Sequence, residues 1–461
     1  MSIVGAAIVP HPPLLLPEVG KGREAKIHAT MEAMRGAAEQ VARWEPEVLI
    51  VASPHTVLYA DYFHIAPGSR ASGSMAVFQA PQVRLEARYD VSLREAIIEE
   101  AQSVSLPAGT LGQRDPELDH GILVPLYFLR KAGVNCPIVR MGLSGLPALD
   151  HYRLGQCVAR AVDRLGRRAI FVASGDLSHK LKKEGPYGYA VQGPQFDEAA
   201  VEAMAQGDFL RFLSMDPTLC AKAAQCGLPS FQMMAGAMDG IRVKADLLSY
   251  EGPFGVGYAV ALFQAGTKDK NRCFASVCEQ RQRQRIAMIR ADEDAWVRLA
   301  RLSLETYVKT GKPLPLPNDL DGALLQQRAP VFVSLHKNGE LRGCIGTTKP
   351  CHAHVAAEII ANAVAAGTRD PRFPKVKEQE LDQIEYSVDV LGEAQRVTSF
   401  AQLDPKRYGV IVTSGRKRGL LLPDLEQVDT VEQQLTIAKE KGGIDEDEPC
   451  LVERFEVVRH T

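Results

Sequence analysis

Apolar and polar positions alternate in two rhythms along the first half of the chain. Short β-branched runs in IVGAAIVPH, VLIVASPH and AIFVASGDLSH each pass straight into a polar tail that closes on a histidine: His11, His55 and His179. Runs of this kind, bounded by Ser, Gly or Pro, predict buried strands. Between the first two, Ile27, Met31, Met34, Ala38 and Val41 recur at steps of four and three within Arg23 to Arg43, which predicts an amphipathic helix. A strand, a returning helix and a second strand make the crossover that parallel strands require. The rhythm continues with a strand at Val48 to Ser53, strand-like pieces in the Gly- and Ser-rich stretch 61–90, and a helix from Ser92 to Ala101. The loop LGQRDPELDHG then carries His120 into a helix from Ile122 to Arg130, followed by a strand from Ile138 to Leu143 and a helix from Leu149 to Leu165. Past His179, one helix is predicted over Phe196 to Leu213 and another from Pro229, then strands in ADLLSYEG and GVGYAVALFQ. This is α/β wiring. Active sites of parallel sheets lie just beyond the carboxyl ends of the strands, so three strands bring three histidines to one rim.

The rhythm changes after residue 265. Residues 266–290 are polar and weakly basic with no apolar period until their end, which places a domain boundary there: 1–265, a linker at 266–284, and 285–461. The second part opens with a helix from Asp294 to Tyr307 and the Pro-rich KPLPLP. VFVSLH and LRGCIGT flank KNGE, whose Asn338-Gly339 pair is a strong hairpin signal. A helix from Ala353 to Ala366, the alternating IEYSVDVL, and strand material in YGVIV, GLLLP and LVERFEVV complete an α+β pattern.

Composition narrows the function classes. With 461 residues the chain holds two or three domains. A net charge near −2 implies no polyanion partner, so no nucleic acid is expected. The nine cysteines lack framework spacing, which indicates reduced thiols and a cytoplasmic setting. No apolar run is long enough for a membrane span, and the N-terminal run, whose first basic residue is Lys21, lacks the charged start of a signal peptide.

Candidate chemistry gathers on His11, His55, His120, Asp176, His179 and Cys226. Converging neutral imidazoles are natural ligands for iron, zinc or copper, and an oxygen or sulfur anion completes a three-residue set. Histidines left over would carry protons. Each residue also has a plainer reading. His28 and His151 fall in predicted helices as surface residues, His64 is structural, Cys226 alone is a small buried hydrophobe, and Asp176 is a cap for the segment after its strand. In the second part, Gly343 and Gly346 bracket Cys344 in a tight backbone, and Arg342 with Arg372 could hold an anion. A hairpin that needs its glycines for geometry explains the same residues. KPCHAH, with Cys351, His352 and His354, lacks the second ligand pair of a structural zinc site, and SGRKRG reads as a solvated turn.

PHPP around His11, SPH at His55, DHGILVPL at His120 and SGDLSH at His179 resemble the class III extradiol dioxygenase B-subunit (LigB) fold shared with Memo proteins, over roughly 1–265. The resemblance implies a parallel-core sheet with helices on both faces. It also implies Fe(II) on His11 and His55, His179 as acid/base, and His120 as a substrate contact. Ring-cleaving members place a glutamate ten residues before a Gly-Ala pair; here Cys226 stands ten residues before Gly236-Ala237. Memo proteins carry a cysteine there and use the SGDLSH-type histidine as a ligand. Thiolate favours Cu or Zn, or a differently poised iron. LRGCIGT, DPRFP, SVDVL and GLLLP make 285–461 similar to the AMMECR family. A chain joining both looks like the Memo/AMMECR/radical-SAM system, which implies a radical-SAM protein as partner. The expected function is therefore an Fe(II)-dependent oxidoreductase acting on a catechol-like diol with O2. Its alternatives are a Memo-like redox protein holding Cu, Fe or Zn, and a metal-free interaction module. A small-molecule substrate is implied, and homo-oligomer formation is left open.

Overall fold

The computed structural model describes residues 3–112, 117–337, 339–425 and 428–461. It forms two compact units, Met1–Glu279 and Gln280–Thr461.

The first unit is built on six strands: β1 (Ile3–Val9), β2 (Val48–Ser53), β3 (Ile138–Gly142), β4 (Ala169–Ser174), β5 (Ile241–Glu251) and β6 (Tyr258–Lys268), in the order β3-β2-β4-β1-β6-β5. β3, β2, β4 and β1 are parallel, and β6 and β5 close the sheet antiparallel. Each central strand is buried on both faces, which is why it reads as an unbroken apolar run. In β4, Phe171 and Ala173 join one core while Ile170 and Val172 join the other. Helix α1 (His28–Arg43) and helix α3 (His120–Lys131) cover one face; α2 (Val91–Ser103), α4 (Ala148–Arg164), α5 (Gln192–Gln206) and α6 (Leu228–Ala237) cover the other. α4 and α6 cross at backbone contact. A Cβ on Gly236 would lie 1.8 Å from the Tyr152 carbonyl oxygen, so only glycine fits.

Several expectations are corrected. Phe196 to Leu213 is not one helix: α5 ends at Gly207, left-handed at φ +63°, and a separate short helix, Phe209–Leu213, follows. The apolar period runs through the break because both pieces bury one face. The strand-like pieces expected in 61–90 are borne out, by Phe63–His64 and by an antiparallel pair, Arg70–Met75 with Ala80–Arg88. The expected linker 266–284 holds the end of β6 and most of helix α7 (Phe274–Asp292). His151 is buried at 1% exposure rather than on the surface. Its Nδ1 bonds to the Pro147 carbonyl at 3.2 Å and its Nε2 accepts from Ser144 N–H at 3.3 Å, an arrangement that suits the neutral ring.

The second unit pairs two four-stranded sheets with helices α8 (Ala295–Thr310), α9 (Val355–Thr368) and α10 (Val431–Gly442). Hairpin β7 (Val331–Lys337) and β8 (Glu340–Gly346) packs beside β9 (Ile384–Leu391). Asn338, on which the turn signal rests, lies outside the described residues.

Candidate metal centre

Because β2, β4 and β1 are parallel neighbours, their carboxyl ends fall on one edge, and the next residues of each strand meet there. β1 registers Val9 against Ser174 of β4, and β2 registers Ala52 against Ala173. His11 is 2% exposed and its backbone N–H donates to Asp176 Oδ1 at 2.9 Å. Asp176 therefore anchors a strand end rather than capping a following helix, and burial raises its pKa to about 6.

The tautomer of His11 follows from its partners. Ser174 Oγ lies 2.6 Å from the Gly121 carbonyl oxygen, to which it can only donate. A hydroxyl has one proton, so the same oxygen accepts from His11 Nδ1–H at 2.9 Å. That leaves the lone pair on Nε2, 2.9 Å from His55 Nε2 and 3.9 Å from Cys226 Sγ. The 2.9 Å contact then puts a proton on His55 Nε2, the proton whose place a metal ion would take. Burial and His55 lower the His11 pKa to about 3, so the ring is a neutral donor.

Cys226 arrives by backbone contact. A Cβ on Gly175 would lie 2.1 Å from Gly227 Cα, which brings the SGD turn and the segment leading into α6 together. Asp176 N–H points at Sγ at 3.3 Å, and Gly227 N–H returns to the Asp176 carbonyl at 3.0 Å. Burial, with the Asp176 carboxylate beside it, pushes the thiol well above its usual range, so metal binding must displace its proton. The donor atoms of His11, His55 and Cys226 all lie within 4.8 Å of one another.

His120 is the first residue of α3, whose cap is Asp119. Its ring centroid stands 4.0 Å from His55 and 5.4 Å from Phe78, and burial with His55 lowers its pKa to about 4. His179 stands outside the three-donor group. Its ring meets Tyr187 at 5.0 Å, and among the described residues its buried Nδ1 has no hydrogen-bond partner. All four histidines line one cavity of about 840 Å3.

Sequence reasoning missed the supports. Ser53 Oγ donates to Asp119 Oδ1 at 2.7 Å and accepts from His55 N–H at 3.2 Å. Arg140, 1% exposed, holds Asp119 Oδ2 at 3.2 Å. A lone arginine inside the apolar strand IVRMG was the available signal, because a buried guanidinium needs a carboxylate.

The second unit treats its candidate residues differently. Arg342 makes a two-pronged pair with Glu380 at 3.0 Å on both arms, and Arg372 pairs with Asp370 at 2.7 Å, so the expected anion site is filled by the chain's own carboxylates. Cβ atoms on Gly343 and Gly346 would come within 2.3 Å of the Ala366 carbonyl and 2.2 Å of the Phe332 ring, which accounts for both glycines by packing. Cys344 N–H is taken by Asp370 at 2.9 Å and its Sγ by Ser334 at 3.3 Å. In KPCHAH, buried Glu358 accepts from the backbone of Cys351 and His352, and His354 caps α9.

Residues 5–261 match the family model described as the catalytic LigB subunit of aromatic ring-opening dioxygenase, and residues 297–460 match AMMECR1. A Clostridium acetobutylicum protein is 40% identical over 469 residues, 100% of this chain and 99% of its own. A Thermotoga maritima protein is 49% identical over 170 residues, covering 36% of this chain and 98% of its own. A crystal structure from Pyrococcus horikoshii aligns at 32% identity over 36% of this chain and 88% of that one, with a TM-score of 0.34. Among the described residues no helix is long and apolar enough to cross a membrane.

Proposed function

The chain belongs to the family of the catalytic LigB subunit of aromatic ring-opening dioxygenase, fused to an AMMECR1 domain, and from that membership we propose that its first unit is a non-heme metal oxidoreductase of extradiol type, using Fe(II) and O2 on a catechol-like diol. The observation that carries this reading is the donor set: two imidazole nitrogens and one sulfur within 4.8 Å, at the ends of parallel strands and facing a cavity. His11, His55 and Cys226 would hold the metal, which when bound supplies Lewis acidity toward the diol and electrons toward dioxygen. The remaining work falls to the chain. His120, held neutral beside His55, hydrogen-bonds a substrate hydroxyl. His179, outside the donor set and with Nδ1 uncommitted, takes a proton from that hydroxyl and returns it later. Phe78, Tyr258 and Val256 line the walls and keep water from the reacting end. Anaerobic loading with Fe(II), followed by catechol and O2, is expected to give a yellow ring-opened product. Absence of product across several catechols with iron bound would overturn the reading.

One observation favours a second reading. The sulfur donor at Cys226, where a carboxylate would suit iron better, supports a Memo-like redox protein that holds Cu, Fe or Zn and cleaves no ring; the radical-SAM partner of this reading rests on the family resemblance alone. Copper or zinc copurifying with the protein, together with no turnover of catechols by the iron-loaded form, would select it.

A further inference from the structure

The two edges of the sheet in the first unit are finished differently. At one edge the chain itself covers β3. Ile65 and Tyr89 bridge to Met141 and Ile138, and the N–H groups of Ala66 and Asp90 donate to the Arg140 and Ile138 carbonyls, both at 3.0 Å. At the other edge β5 has β6 on one side only. Among the described residues, the backbone of 242–251 hydrogen-bonds to no segment but β6. In an antiparallel edge strand every second residue then turns its N–H and C=O outward, a row that a further strand can pair.

Lysines and bulges are the usual means of blunting such an edge, and β5 has both. Lys244 has a side chain 72% exposed, and Leu248 is an extra residue between Leu247, opposite Ala261, and Ser249, opposite Val260. Neither closes the edge here. The bulge leaves Val243 to Leu247 in unbroken register with Ala265 to Ala261. The lysine is answered on its own face, where Asp246 Oδ2 lies 3.2 Å from Lys244 Nζ and is itself half-exposed. Leu248 and Tyr250, each 41% exposed, add apolar surface just beyond.

The order of charges selects the partner. Two copies of an edge strand meet about a two-fold axis normal to the sheet, so residues equally far to either side of the axis face each other. An axis through Lys244 sets that lysine against its own copy, one through Asp246 does the same for the aspartate, and one through Val243 sets Arg242 against Lys244. An axis through Ala245, the middle of the regular stretch, sets Lys244 against the partner's Asp246 twice over and Val243 against Leu247 on the core side. No like charges meet in that register. Opposite charges across strands stabilise a pair, and like charges directly opposite destabilise it.

We infer that β5 is a self-pairing edge, at which two copies of the chain join antiparallel about Ala245 and continue one sheet into the next. Pairing of one strand buries less than a standard interface, so the dimer is expected to be weak and reversible, with a dissociation constant on the order of tens of micromolar. Sedimentation of the full chain over a range of concentrations is the test. The unaltered protein should pass reversibly from monomer to dimer. Lys244→Asp and Asp246→Lys, both on solvent-exposed side chains, should each weaken the dimer about tenfold or more, because like charges then face each other twice. The two variants mixed should form a heterodimer, and both substitutions in one chain should restore self-pairing. A chain that stays monomeric throughout would overturn the inference. So would a dimer that neither variant weakens, or two variants that fail to associate on mixing.

Discussion

Cys226 in the first unit and Cys344 in the second stand in similar surroundings. Each lies beside glycines at a backbone contact too close for any side chain, and burial raises the pKa of both thiols. Their neighbours differ. Around Cys344 the hydroxyl of Ser334, the carboxylate of Asp370 and the guanidinium of Arg372 are bonded to one another or to the cysteine itself. Around Cys226 stand two imidazole nitrogens, one of them with its lone pair left free by the Ser174 relay. A glycine-clasped cysteine is thus a packing solution by default, and becomes a candidate binding site only where the fold leaves donors unspent.

Substitutions can break that contrast, the largest effect first. His11→Ala and His55→Ala should each weaken metal binding by about a hundredfold or more, since one of three donors is lost, whereas Cys344→Ser should leave metal content unchanged. Metal titration of the full chain reads both. Equal losses from the two units would erase the distinction. Gly343→Ala, which drives a methyl into the Ala366 carbonyl, should cost the second unit about 2–3 kcal/mol while leaving metal binding intact. Trp296 fluorescence follows unfolding of that unit in a Trp44→Phe background, because each unit holds one tryptophan. An unchanged denaturation midpoint would show that the glycine is not there for packing. Ser174→Ala should lower metal affinity about tenfold, because the His11 ring loses the partner that sets its tautomer. Full affinity in that variant would break the relay argument.

The smallest expected effect is a pH slope. Burial lowers the His151 pKa to about 4, below the 6.5 of the unfolded chain, so the unfolded state takes up the proton first on acidification. Stability from this residue is complete above pH 6.5 and is lost as pH falls toward 4. Between pH 7 and pH 6 the loss is about 1 kcal/mol at most. His151→Phe should be less stable at neutral pH and lack this part of the slope; an unchanged slope would place the titration elsewhere.

The strands and most helices of the first unit were legible because burial on both faces writes an unbroken apolar run and burial on one face writes a period near 3.6 residues. Helix α7 was not, since FASVCEQRQRQRIAMIRAD carries good helix formers with no apolar stripe. His151 was misjudged although it heads the stripe of Gly155, Val158 and Val162, so the period itself held the signal. At the site, His11, His55, His120 and Cys226 could be proposed from strand ends and motifs. Ser174, Ser53 and Asp119 could not, because their roles exist only in hydrogen bonds between distant segments. Arg342 misled for the same reason, its carboxylate partner lying 38 residues away; the partner of Arg372 is Asp370, two residues before it in DPRFP, so that pairing was open to a local reading.

X-ray absorption at the edge of the metal bound to the full chain, compared with the Cys226→Ser variant, tests the donor set most directly. The expected spectrum holds one sulfur at about 2.3 Å beside imidazole nitrogens, with the sulfur lost in the variant. A first shell of nitrogen and oxygen alone, unaltered by Cys226→Ser, would contradict the account.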